Sequence, residues 1–362
     1  MAKHLLLLIF AISAYSVSYA QQSSENFAHI SLPAEIKYLT WNNSGPYVGN
    51  HAGIWKIDTK TWTPDSAVAL KSNNPFKTIQ GIAGRENDLY FYINGEGVYR
   101  MQSKGMKPLL VRPRSEDFVK NLEEAYSSMG TDPTGQYLLL YGQNENAVVF
   151  DIFRDMSPVA VFNDYVMDAY WIGNNLWAGC LDKVVLNSRT GKSINNEDFI
   201  GLEDQSGMTK FYVGEITKIP ENGEKRIQVN GGGDIVRLIY NKKNGDLLLC
   251  LSSWADNKSS VYRMTPDAAL PVATFNGAYG DFAAYGDKIV ARTGRGFVEI
   301  SYGDKLTDVE PKLIITDILR PKLWKGDKPS PYEIIGSSIL DFDKDGNLWI
   351  ASGRDLFVKF NK

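Results

Sequence analysis

Three histidines, two cysteines and a scatter of turn-borne carboxylates are the residues of this 362-residue chain that could do chemistry. Proton transfer near neutral pH asks for an imidazole beside a carboxylate. His51 is the histidine placed to serve, because His4 lies in an apolar leader and His29 in a segment that reads as a strand. Its candidate partners are Glu96 and Asp355. With no second histidine beside it and no recognisable nucleophile, a satisfied loop histidine explains His51 as well, and no catalytic residue is assigned. Asp343-Lys-Asp-Gly-Asn347 looks like the start of a calcium loop but lacks the downstream bidentate Glu. A hairpin turn accounts for it, and neither a metal nor a cofactor is assigned. Cys180 and Cys250 end two apolar runs in opposite registers. An inter-strand disulfide in an oxidising compartment and a pair of buried thiols are the two alternatives.

The remaining polar candidates sit in short turns: Asn144, Asp182, Trp254, Arg295 and Arg354, together with His51, Glu96 and Asp355. Mixed charge with one aromatic platform suits hydrogen bonding and stacking on a small polar ligand, although turns are polar wherever they meet water.

What must position these turns is a repeat. The clearest unit is Ser337-Ser-Ile-Leu-Asp-Phe-Asp-Lys-Asp-Gly-Asn-Leu-Trp-Ile-Ala-Ser-Gly-Arg-Asp-Leu-Phe-Val-Lys-Phe360, which reads as strand, Asp-Gly turn, strand, short turn, strand. The same grammar recurs with second-strand anchors at Tyr47, Leu89, Tyr137, Leu176, Leu247, Ile289 and Leu348. Most gaps are 39 to 48 residues, close to a four-strand blade, while gaps of 71 and 59 need insertions. A fourth strand follows at Pro108-Leu-Leu-Val111, Pro158-Val-Ala-Val-Phe162, Pro271-Val-Ala-Thr-Phe275 and Pro311-Lys-Leu-Ile-Ile315. Proline cannot donate to a ladder, so it marks an edge strand or a strand start.

The last unit ends after its third strand, and Phe27–Leu32 has no partner of its own. That segment can serve as the missing outer strand. The expected fold is therefore all-β, a single seven-bladed β-propeller over residues 21–362, with the N-terminal strand closing the last blade. The stretch 195–232 is read as an insertion or an extended hairpin on blade four, 115–125 as a short capped helix, and 317–334 as a Pro-rich linker. In such a ring the turns that carry the polar candidates share one face around the central channel.

The last repeat, Asp341-Phe-Asp-Lys-Asp-Gly-Asn-Leu-Trp-Ile-Ala-Ser-Gly353, resembles the two-component regulator propeller repeat, and Asn175-Leu-Trp-Ala-Gly179 is a weaker copy. The resemblance implies a propeller of the kind found in exported sensors, with related propellers acting as lyases or lactonases. No membrane-spanning, kinase or DNA-binding segment accompanies the repeats here, so the sensor role is not carried over.

Composition sets the remaining bounds. The chain is 43% hydrophobic and 22% charged, with 39 Lys+Arg against 42 Asp+Glu, a formal charge of −3. Ordinary globular composition excludes a disordered chain, and a slightly acidic balance gives no bulk attraction to nucleic acid or an anionic membrane. Residues 1–20 read as a cleaved secretory signal: Lys3, the apolar run Leu5–Ile12, then Ser18-Tyr19-Ala20. The run is too short for a bilayer span of ~20 residues, so a periplasmic or secreted protein is expected. The leading expectation is a non-catalytic propeller that binds a partner protein or a glycan through its channel face. The alternative is a secreted lyase or hydrolase using His51 with Glu96 or Asp355 on a carbohydrate or lactone-like substrate. A third is an envelope component docking through 195–232 and 317–334.

Overall fold

The structure is a computed structural model. It describes residues 21–23, 27–70, 77–102, 107–113, 128–131, 136–141, 147–154, 156–162, 165–172, 175–181, 186–187, 209–215, 225–226, 235–253, 257–265, 269–277, 281–293, 296–305, 307–308, 312–313 and 338–361. The expected leader, the helix at 115–125 and the linker at 317–334 lie outside these residues.

The described chain is all strand and turn. Strands β1 (Gln21–Ser23) and β2 (Phe27–Ser31) come first but belong to the last sheet. The first sheet is β3 (Tyr38–Asn42), β4 (Gly45–Gly49), β5 (Gly53–Asp58) and β6 (Thr63–Ala69). The second is β7 (Ile79–Arg85), β8 (Asp88–Ile93), β9 (Gly97–Met101) and β10 (Leu109–Pro113). The third is β11 (Ser128–Thr131), β12 (Tyr137–Tyr141), β13 (Ala147–Asp151) and β14 (Ser157–Phe162). The fourth begins with β15 (Tyr165–Ile172) and β16 (Asn175–Leu181). The chain then leaves to form β17 (Leu186–Asn187) on the edge of the third sheet, and returns as β18 (Thr209–Glu215) and β19 (Lys225–Arg226).

The fifth sheet is β20 (Ile235–Tyr240), β21 (Leu247–Ser253), β22 (Lys258–Met264) and β23 (Ala269–Asn276). The sixth has β24 (Phe282–Tyr285), β25 (Lys288–Thr293) and β26 (Gly296–Ser301). It lends β27 (Thr307–Asp308) back to the fifth and ends with β28 (Lys312–Leu313). The last comprises β29 (Ser338–Phe342), β30 (Leu348–Ser352) and β31 (Asp355–Lys359), continued outward by β2 and then β1. These are seven sheets among the described residues.

All seven sequence anchors fall on second strands. The reason is burial on both faces: β30 is buried at every position, and β8 at every position but its first. A strand sandwiched between two neighbouring sheets reads as a continuous apolar run instead of alternating. The layers between sheets form the core. Tyr47, Ile54, Ile82 and Phe91 fill the layer between the first and second sheets. Cys250, Phe275, Ile289 and Ile300 fill the layer between the fifth and sixth, and Val48, Ile57, Trp349 and Leu356 the layer between the last and the first. Innermost strands of successive sheets touch in order from β3 through β7, β11, β15, β20 and β24 to β29.

The chain ends meet as expected. β2 pairs antiparallel with β31, placing Phe27 opposite Lys359 and Ser31 opposite Asp355. β1 adds a further strand outside β2 that the repeat pattern did not show. The hairpin expected in 195–232 supplies the outer half of the fourth sheet: β18 pairs along the whole of β16, and β19 pairs on β18.

One expectation needs correction. The proline-marked fourth strands β14 and β23 are not edges, since β17 covers one and β27, running parallel, covers the other. Their prolines are tolerated at register shifts, with Pro158 opposite Phe150 and Pro271 opposite Tyr262 beside a break in the ladder. Cys250 is fully buried in the layer facing the sixth sheet, and Cys180 belongs to β16 of the fourth. Among the described residues no helix is long and apolar enough to cross a membrane.

Candidate functional site

The turns between second and third strands and the segments leading into each innermost strand lie at one end of the ring. Backbone hydrogen bonds stitch three of these sheets into a continuous arc. Leu32 N donates to Arg354 O at 2.8 Å, Ile36 N to Gly353 O at 2.7 Å and Lys37 N to Gly49 O at 2.8 Å. Ile79 N then donates to His51 O and Asn94 N to Thr78 O, both at 2.9 Å. The last, first and second sheets therefore present Arg354, His51 and Glu96 in sequence along one rim.

Asn50 builds the His51 turn, its buried Oδ1 accepting from Ala52 N at 2.8 Å and Gly53 N at 3.0 Å. His51 is exposed, but its Nδ1 donates to the Ile79 carbonyl at 2.9 Å. Tyr38 donates its hydroxyl to the same carbonyl at 3.1 Å and meets the imidazole edge-on at 6.2 Å. Burial pushes the Tyr38 phenol far above its ordinary range. A carbonyl can only accept, so the Nδ1–H tautomer is fixed by this contact.

Glu96 is held from two sides. Lys77 Nζ lies 2.6 Å from Oε1, and the Tyr99 hydroxyl donates to Oε2 at 2.6 Å. These two hydrogen bonds, Lys77 first, hold the carboxyl below its ordinary range. Burial, followed by the bond to Glu96, pushes Tyr99 up to about 12. Asp355 is engaged at the chain-end seam, where His29 Nε2 donates to Oδ1 at 2.7 Å and Ser31 donates to the same oxygen. His29 is only 1% exposed and stacks on Phe357 at 4.6 Å. Sequence reasoning missed this partner. The signal was there in the register: pairing Ser31 with Asp355 and His29 with Phe357 places the histidine diagonal to the carboxylate.

His51 therefore meets neither Glu96 nor Asp355. Arg354 is exposed, and its guanidinium makes no hydrogen bond or ion pair with the described residues. Asn144, Asp182, Trp254 and Arg295 lie outside the described residues. Further round the rim, Arg292 pairs with Asp281 at 3.3 Å, both largely buried. No group of three His, Cys, Asp or Glu that could hold a metal ion occurs among the described residues.

The opposite mouth is braced. Lys242, in the turn between β20 and β21, reaches past the sixth sheet to Asp341 Oδ2 at 2.9 Å and to the Phe342 carbonyl. Its ammonium lies 4.5 Å from the Trp41 ring centroid of the first sheet. On this side Asp343 also closes the β29–β30 turn, accepting from Asn347 N and Nδ2 at 2.9 Å and from Trp349 Nε1 and Asp345 N at 3.0 Å. Four donors saturate a carboxylate that resembled a calcium ligand in sequence.

Comparison with solved structures places this arrangement. A chain of the mitotic checkpoint complex superposes with TM-score 0.58 at 11% identity, over 96% of this chain and 94% of that one. YCF48 bound to D1 peptide gives 0.56 at 10% identity over 95% and 98%, and the C-terminal WD40 domain of Sif2 gives 0.52 at 10% over 92% and 97%. The fold is a β-propeller. Identities this low show the propeller alone. No protein-family model matches the chain, and no curated protein matches it, so the two-component regulator likeness stays a resemblance of the last repeat. In propeller terms the rim that carries His51, Glu96 and Arg354 surrounds one mouth of the channel, and Lys242 stands at the other.

Proposed function

We propose that the protein is an exported, seven-bladed propeller that binds a protein partner at the His51 mouth of its channel and catalyses no reaction there. The observation that carries this reading is the state of the rim. Its histidine is tied to a backbone carbonyl, and its described carboxylates are tied to other partners. An acid–base pair needs the two groups within reach of one reacting proton, and they are apart. What the rim offers is a broad polar surface stitched to three sheets, which suits recognition of an extended chain. The solved propeller YCF48 bound to D1 peptide and the propeller chain in the mitotic checkpoint complex support a protein ligand over a glycan. Export is supported by the leader, since a cut after Ala20 would leave β1, which begins at Gln21, intact.

The test is a photo-crosslinking residue placed at exposed Ala52, beside His51, with a second placed at exposed Lys60 on the opposite side as control. A discrete partner cross-linked from position 52 and not from 60 is the expected result. Equal labelling from both, or turnover of a carbohydrate or lactone that His51→Ala abolishes, would overturn the reading.

A further inference from the structure

We infer that the chain segment bound at the His51 rim is acidic, held first by Arg354; this rests on the reading that the rim binds a protein. What internal pairing leaves over along the rim sets the charge of the ligand it can hold. Along the arc from the last sheet to the second, Glu35 is paired with Lys37 at 2.7 Å. Glu96 is paired with Lys77 and Tyr99, and Asp355 with His29 and Ser31. No described carboxylate of the arc is left to meet a ligand cation.

The donors tell the opposite story. Arg354 presents a guanidinium that no described residue accepts from, at the turn whose carbonyls anchor residues 32 and 36. Five N–H groups in a fixed fork match a carboxylate in bidentate fashion. Lys37 and Lys77 continue the arc on either side of His51, and their side chains remain 32% and 45% exposed. Each ammonium stays with its own carboxylate, so Arg354 is the charged group that the described arc leaves unpaired. Between the Arg354 and His51 turns, exposed Pro33 and half-buried Ala34 offer a low floor over which an extended chain can run. A basic segment would find Arg354 repelling it and carboxylates already engaged by neighbouring side chains. Since the whole chain carries −3, the attraction must be local to this arc.

The test measures fluorescence anisotropy of labelled hexaglutamate, hexaglutamine and hexalysine peptides with the chain lacking its leader, at one ionic strength. Hexaglutamate should bind at least tenfold more tightly than hexaglutamine. Arg354→Gln should weaken it at least fivefold, and Arg354→Lys, which keeps the charge but not the fork, should restore part of the loss. Arg354 is exposed, so an unchanged urea midpoint in both variants confirms that only recognition was altered. Equal binding of the three peptides, preference for hexalysine, or full binding by Arg354→Gln would overturn the inference. If position 52 still cross-links a partner while hexaglutamate fails, the inference falls alone; if position 52 captures nothing, the proposed function falls with it.

Discussion

Asp355 shows how a residue that looked like a binding group can be a structural one. Two donors from β2, His29 and Ser31, converge on its Oδ1. Asp355→Ala would leave both without their acceptor, one of them fully buried, and losses of this kind cost about 1–3 kcal/mol. The urea midpoint should fall accordingly, whereas Ser31→Ala, which keeps the His29 bond, should cost less than half as much. At Glu96 the sign of the pH dependence is set by its partners. Lys77 and Tyr99 favour the ionised form, so the folded carboxyl titrates below its unfolded counterpart. That stabilisation is complete above the ordinary carboxylate range and is lost as pH falls through the folded value. Lys77→Met should thus be less stable than the parent at pH 7 and converge with it in acid. Tyr99 works from the other side: its neutral form is favoured up to about 12 against an ordinary 10.0. Its share of stability should persist below pH 10 and vanish between 10 and 12. The tyrosinate absorbance lost in Tyr99→Phe should lie near pH 12, above that of an ordinary phenol.

Elements tell where the sequence was readable and where it was not. Second strands such as Leu247–Ser253 and Leu348–Ser352 were legible because neighbouring sheets bury both their faces, leaving an apolar run between turns. Fourth strands were legible through their prolines: Pro108 and Pro311 precede the edge strands β10 and β28, while Pro158 and Pro271 sit at ladder breaks in the covered strands β14 and β23. The added strands β17 and β27 were invisible, because two residues carry no period and their partners are chosen by the neighbouring sheet. The side chains that matter at the rim were half legible. Turn positions placed His51, Glu96 and Arg354 together, but pairing decided which remained available, and pairing depends on register across sheets. Close approach between elements is a second thing composition hides. Gly84 of β7 lies so near β3 that a Cβ built on it would sit 2.1 Å from the Trp41 carbonyl oxygen. That neighbour is backbone and cannot rotate away. Gly84→Ala should therefore force the first two sheets apart and cost roughly 1–3 kcal/mol, the range for overpacking, read as a drop in thermal midpoint. A neutral Gly84→Ala would mean that this seam gives freely.

At the scale of the whole molecule the question is what keeps a ring of sheets closed where β2 meets β31. The layer between the last and first sheets, with Val48, Ile57, Trp349 and Leu356 at its centre, is the joint. The β2–β31 ladder and the Asp355 contacts tie it near the His51 mouth, and an aromatic group ties it near the other. There Trp41 meets Trp349 edge-on at 5.8 Å, and Trp62 packs on Trp349 at 6.0 Å and on Phe360 at 5.4 Å. Lys242 arrives at this group from the fifth sheet, so its contacts bind three sheets rather than two. A half-exposed ion pair contributes about 0–1 kcal/mol and a cation over an indole about 0.5–1. Lys242→Met, which retains most of the apolar stem, should then cost about 1–2 kcal/mol. If the ring unfolds as one body, tryptophan fluorescence and far-ultraviolet circular dichroism should keep a common urea midpoint in the variant, shifted down together. Separation of the two signals would show instead that the first and last sheets open as a unit before the rest. The N-terminal strand would then be a detachable latch and the rest of the propeller a body that stands without it.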